Sequence, residues 1–205
     1  MNTARHLNRI LRQVCLYGPP LLAGFVLSYP AQAAGNDVLR GAGVATGIFA
    51  GIYIHELGHA AALRAAGAEH IRIQVPGAHC SLLCGQTDFT WASAPSPSTS
   101  RVVSAAGLIA SNLGAELVLR HETGVRSAFG QGFVATNLYS NVVHVVTYYT
   151  KVRGQNGYQG NDIDAYEMAG GNPHLLSAGL IAYSMYALHR MHEKNIPIVF
   201  TRMHF

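Results

Sequence analysis

Gly51-Ile52-Tyr53-Ile54-His55-Glu56-Leu57-Gly58-His59-Ala60-Ala61-Ala62 is the stretch that decides how this chain is read. It lies in an apolar run, Gly41 to Leu63, of 23 residues whose only ionisable members are His55, Glu56 and His59. The run is long enough for a membrane-spanning helix, which needs about 20 apolar residues. On a helix, histidines at i and i+4 share one face and can hold a single metal ion. Glu56, the next residue, stands where a general base would take a proton from a water activated by that ion. The bland alternative is a buried histidine pair with a glutamate in a soluble helix. Ionisable groups inside a span are costly and point to function by default. Three within five positions, in a metal-ligand pattern, favour the metal site.

Gly43, Gly47 and Gly51 recur every fourth residue of the same run. They form a stripe of small residues against which another helix can pack closely. Towards the N-terminus, Arg5, Arg9 and Arg12 precede an apolar run, Val14 to Tyr29, and the sequence Pro30-Ala31-Gln32-Ala33-Ala34. Residues 1–34 therefore read as a signal peptide or a first membrane helix, and residues 35–205 as the main domain. Three further apolar segments follow: Val102 to Leu119, interrupted by Asn112 and Glu116; Phe133 to Thr150, free of Asp, Glu, Lys and Arg; and Leu175 to Leu188, bordered by His174 and His189. The expectation is a mostly α protein, a polytopic membrane helical bundle of four to five spans.

Between these segments Ile71-Arg72-Ile73-Gln74-Val75 alternates with the period of a strand, and Pro76-Gly77 ends it. A second strand over Gln86 to Trp91 would complete a small β-hairpin after the metal-binding helix. Ala92 to Ser100 reads as a Pro/Ser linker and Arg153 to Asn161 as a polar loop.

Composition agrees with a membrane class. Of 205 residues, 49% are hydrophobic and only 12% charged, against roughly 25% charged in soluble domains. Disorder is excluded by the apolar content. The net charge of +4 reflects 14 basic against 10 acidic residues, a shortage of acids rather than a basic stripe, so no nucleic-acid partner is indicated. Basic residues flanking the segments, Arg64 and Arg72 among them, place the hairpin in the cytoplasm. His79, Cys80 and Cys84 form an H-C-x-x-x-C cluster that would suit a second metal or a disulfide, but thiols on the cytoplasmic side stay reduced, so they read as ordinary hairpin residues.

A catalytic zinc takes three protein ligands and leaves one position open. No histidine follows His59 at soluble-protease spacing, since position 65 is Ala. Asp162 and Asp164 in Gly160-Asn161-Asp162-Ile163-Asp164 are the candidates for the third ligand, with Asp162 preferred; their alternative role is to cap a helix. His144 reads either as a ligand or proton relay or as a hydrogen-bonded core histidine. No phosphate-binding loop, haem or flavin signature is present, so zinc is the one cofactor indicated.

On these residues the chain resembles the site-2 proteases, intramembrane zinc metalloproteases, with the H-E-x-x-H helix as the strongest likeness. Ala106-Gly107-Leu108-Ile109-Ala110-Ser111-Asn112 is similar to that family's G-P-x-x-N stretch, without its proline and with the asparagine one place late. The family's third zinc ligand is an aspartate followed by glycine; here Asp162 is followed by Ile163. The resemblance implies zinc bound by His55, His59 and an aspartate, and Glu56 as base; Asn112 reads either as an oxyanion stabiliser or as a polar helix–helix contact. It further implies hydrolysis of a peptide bond in a membrane-protein substrate within or next to a lipid bilayer, the bacterial inner membrane. Two other readings stay open: a soluble secreted or periplasmic zinc peptidase, and a non-catalytic membrane protein that keeps the metal motif.

Overall fold

A computed structural model describes residues 34–77, 84–151 and 161–196. Six helices and one two-stranded antiparallel sheet occur among these residues. In chain order they are α1 (Ala34–Ala65), β1 (Glu69–Gln74), β2 (Gln86–Thr90), α2 (Pro97–Arg120), α3 (Glu122–Arg126), α4 (Ala128–Thr150), α5 (Asp162–Met168) and α6 (Pro173–Glu193).

The chain ends each long helix with local chemistry. Gly67, at φ 81°, closes α1: its N–H bonds Arg64 O and the N–H of Ala68 bonds Leu63 O. This paired return needs a left-handed residue, which glycine supplies without a Cβ penalty. Ser96 caps α2 by accepting from Thr99 N, with Pro97 in the first turn. The end of the expected Pro/Ser linker is thus a helix start, because proline at the first helical position forfeits no hydrogen bond. Ser127 caps α4 and Asn172 caps α6 in the same manner. The hairpin pairs Arg72 with Asp88, Ile73 with Thr87 and Gln74 with Gln86, with a register irregularity between Glu69 and Arg72.

The longest helix, α1, is flanked by α2 and α4. The small-residue stripe faces α4: a Cβ on Gly47 would overlap Phe129 O, and one on Gly51 would lie 3.1 Å from Thr136 Cβ. From the other side Gly132 of α4 admits the backbone of Val44. Two buried clusters bracket the middle of the fold. Leu63, Phe89, Val103 and Ala165 join α1, β2, α2 and α5, while Leu108, Tyr148, Ile163 and Leu180 join α2, α4, α5 and α6. The short helix α5 belongs to both, so it is held against α2 at the depth of the H-E-x-x-H motif.

Among the described residues two helices are long and apolar enough to cross a membrane, Asp37–Ala65 and Pro97–Arg120. This corrects the expected four to five spans. The helix α4 has the length, 23 residues, but Gln131, Asn137, Asn141 and His144 lower its hydropathy, and they are buried rather than lipid-facing. The last segment, α6, mixes serines, tyrosines and histidines with its apolar residues. Residues 1–33, read as a signal peptide or first membrane helix, lie outside the described residues, as do His79, Cys80 and most of the Arg153–Asn161 loop.

Cys84 is fully buried and disulfide-bonded, which corrects the reading of reduced thiols. Disulfides persist in oxidising compartments. The cytoplasmic placement of the hairpin, which rested on basic residues alone, is therefore not carried forward.

Candidate metal centre

His55, Glu56 and His59 all face inward from α1, each 5% exposed or less. Their surroundings engage the Nδ1 atom of each ring. The Nδ1 of His59 lies 2.8 Å from Val103 O, a carbonyl that can only accept, so Nδ1 carries the proton. The Nδ1 of His55 lies 3.2 Å from Ser111 Oγ, whose own proton goes to Gly107 O at 2.9 Å. Ser111 therefore accepts from His55. In both rings Nε2 is the nitrogen turned to the site, where it can bind a metal, and α2 provides the fixing partner each time.

Asp162 meets these two nitrogens from the first turn of α5. Its Oδ2 lies 3.0 Å from His55 Nε2 and 3.3 Å from His59 Nε2, and the two nitrogens are 3.2 Å apart. Three donor atoms thus form a nearly equilateral triangle, with Asp162 wholly inaccessible to solvent. Neither carboxylate oxygen of Asp162 makes an aligned hydrogen bond. A buried carboxylate without partners is costly, and lone pairs pointed at one another repel. Only a proton held between them or a cation makes this arrangement attractive. Tetrahedral zinc, with bonds of about 2.0–2.1 Å, sets its ligand atoms about 3.3 Å apart. The triangle fits that spacing, so the residues present suit a metal ion.

Gly107 of α2 keeps one side of the triangle clear. A Cβ there would overlap His59 Nε2 and lie 2.7 Å from His55 Nε2. Glu56 of α1 is held by the hairpin: Thr87 Oγ1 of β2 donates to its Oε2 at 2.7 Å, and Gly85 packs against its side chain. The hairpin therefore positions the glutamate, while α2 and α5 complete the metal centre.

The two aspartates have different roles. Asn161 is the N-cap of α5, accepting from Ile163 N and Asp164 N, and Asp164 Oδ2 accepts from Asn161 N at 2.9 Å. Asp164 also pairs with Lys151. The structure brings Asp162 to the histidines and gives Asp164 to the capping box. Asn161 further donates to His144 O and Thr147 Oγ1, both at 2.8 Å, which locks the start of α5 onto α4 and so aims Asp162.

Asn112 stands in a separate amide network. Its Oδ1 accepts from Asn137 at 3.1 Å and Asn141 at 2.9 Å, and its Nδ2 donates to Leu108 O at 2.8 Å. Asn141 extends the network to Ser184. With these commitments Asn112 ties α2 to α4, and the oxyanion role expected of it is not carried into the proposal below. The sequence reading did not single out Thr87, Ser111 or Asn161 as supports of the site. An N-x-x-D pattern before an apolar residue marks Asn161 as a cap, but nothing local marks Thr87 or Ser111, whose partners are 31 and 56 residues away.

Comparisons with protein-family models, with curated proteins and with solved structures give no match. The functional reading accordingly rests on the geometry.

Proposed function

We propose that this chain is an intramembrane zinc endopeptidase similar to the site-2 proteases, hydrolysing a peptide bond of a membrane-protein substrate in the bacterial inner membrane. The observation that carries the reading is the buried His55–His59–Asp162 triangle with Glu56 next to it on the same helix. His55, His59 and Asp162 would hold zinc, which when bound polarises a carbonyl and acidifies water. Glu56 takes the proton of the attacking water and delivers it to the leaving amine. Thr87 keeps the carboxylate in place for both transfers, and Gly107 leaves the space beside the two Nε2 atoms free of side chain.

The lipid setting is supported by what α2 exposes. Val102, Ile109, Leu113 and Leu117 are 53–63% exposed and lie seven, four and four residues apart, on one helical face. An apolar stripe of this kind, on a helix whose other face carries the polar site, suits lipid better than water.

Comparing protein termini in membranes from cells making the wild type or Glu56→Gln tests the activity. New termini within membrane segments are expected with the wild type only. The same termini in both would refute Glu56 as base and with it the endopeptidase reading.

A further inference from the structure

The far end of α1 carries a cavity that the metal centre does not use. It has a volume of about 390 Å³ and is lined by Arg40, Arg126, Ala128, Gln131 and Ile196. The opening turns of α1, the end of α3, the start of α4 and the residue positions after α6 bring these side chains together. None of the five is acidic, and two are guanidinium groups.

Much of that positive charge is uncommitted. Arg40 makes no hydrogen bond or ion pair among the described residues. Arg126 gives Nε to Glu122 at 3.2 Å and Nη2 to Lys194 O at 3.3 Å, which leaves Nη1. Gln131, 5% exposed, donates to Arg126 O at 3.1 Å and fixes the backbone that carries this arginine. Ser127 takes the N–H groups of Gly130 and Gln131; that of Ala128, in the first turn, has no acceptor within the helix. The positive end of a 23-residue helix thus meets two arginines. Like charges gathered at one cavity repel until an anion joins them, and the forked donors of arginine match the oxygens of a phosphate.

The surroundings say what carries the phosphate. Arg40 lies three residues into the apolar helix Asp37–Ala65, and Val38 and Leu39 beside it are 69% and 74% exposed. Basic pockets at the ends of membrane helices hold lipid headgroups, and bare apolar side chains next to them suit the acyl chains. We propose that this cavity binds a phosphate group, presented at the membrane boundary by an anionic phospholipid, with Arg40 and Arg126 as its cationic partners.

Native mass spectrometry of the full-length protein in detergent, titrated with phosphatidylglycerol, phosphatidylcholine or inorganic phosphate, tests this. One phosphatidylglycerol per chain is expected, held at least about tenfold more tightly than phosphatidylcholine. Its affinity should fall at least about tenfold in Arg40→Gln and in Arg126→Gln, the loss of one charge-assisted hydrogen bond, and stay unchanged in Arg72→Gln on β1. Inorganic phosphate bound through the same two arginines, without phosphatidylglycerol, would support the site and make free phosphate its ligand. Equal binding of the two lipids, binding that both substitutions leave unchanged, or no binding of lipid or phosphate would overturn the proposal. Arg40→Gln removes no contact within the protein, so it decides the matter even if Arg126→Gln does not fold. Zinc content should be the same in every variant, so failure here leaves the metal reading intact.

Discussion

Substituting Gly107 with alanine tests the geometry of the centre without touching a ligand. The added Cβ would fall 2.7 Å from His55 Nε2 and overlap His59 Nε2. Ordinary non-bonded contacts lie at about 3.5–4.0 Å, so the methyl group intrudes by roughly 1 Å. Metal–ligand distances tolerate only about 0.2 Å, and the rings cannot retreat freely because Val103 O and Ser111 Oγ hold their far nitrogens. Both nitrogens would be pushed off the ion together. Even loss of an outer partner of a ligand costs about 10–100-fold in metal affinity, so at least about a hundredfold loss is expected here. Alanine also favours a helix over glycine by about 1 kcal/mol, which offsets part of the overpacking strain, so the chain should still fold. Zinc affinity measured by chelator competition, beside a thermal melt of the metal-free protein, separates the two effects. Wild-type zinc affinity in Gly107→Ala would show that the two Nε2 atoms do not share the ion, and the argument from the triangle would fail.

Four further outcomes are expected. Thr87→Val strands Glu56 Oε2 without its 2.7 Å donor; stability should fall by about 1–3 kcal/mol and turnover should drop while zinc content stays unchanged, with Thr87→Ser restoring both. Asn112→Ala removes the acceptor shared by Asn137 and Asn141; melting should reveal a loss of about 1–3 kcal/mol per stranded donor, with turnover per folded molecule retained, and a selective loss of turnover would instead return Asn112 to the reaction. Gly179→Ala places its Cβ in open space on α6 and should stabilise the protein by about 0.5–1 kcal/mol, as read from a melt, without changing zinc content. Stripping the metal with a chelator should lower the melting temperature, since a ligand at about a thousand times its Kd contributes about 4 kcal/mol; re-adding zinc should restore it.

What the sequence disclosed follows the range of the interactions involved. His55 and His59 are four residues apart on one helix, with Glu56 directly after the first, so the face the histidines share can be read from spacing alone. The stripe Gly43, Gly47 and Gly51 announced a close helix contact, and α4 is the helix that makes it. The choice between Asp162 and Asp164 hung on which one capped α5, and the cap turned out to be Asn161, with Asp164 as its reciprocal partner. His144 could be read either way because its place relative to Asp162, 18 residues on and across an intervening loop, is not local; the donor atoms close enough together for one ion are those of His55, His59 and Asp162. The count of spans went wrong at α4, where the absence of formal charge hid an interior face of asparagines and a histidine. Those groups are polar enough to lower hydropathy and buried enough to serve the core. The disulfide at Cys84 went unread because flanking arginines were taken to fix the compartment of the hairpin.

The claim on which all else depends is that α1 and α5 together hold one metal ion through His55, His59 and Asp162. Zinc per chain, measured on detergent-purified wild type, Asp162→Ala and Asp164→Ala, tests it most directly. The account predicts about one zinc in the wild type and in Asp164→Ala, and none in Asp162→Ala. A folded wild type without zinc, or an Asp162→Ala variant that keeps it, would contradict the account.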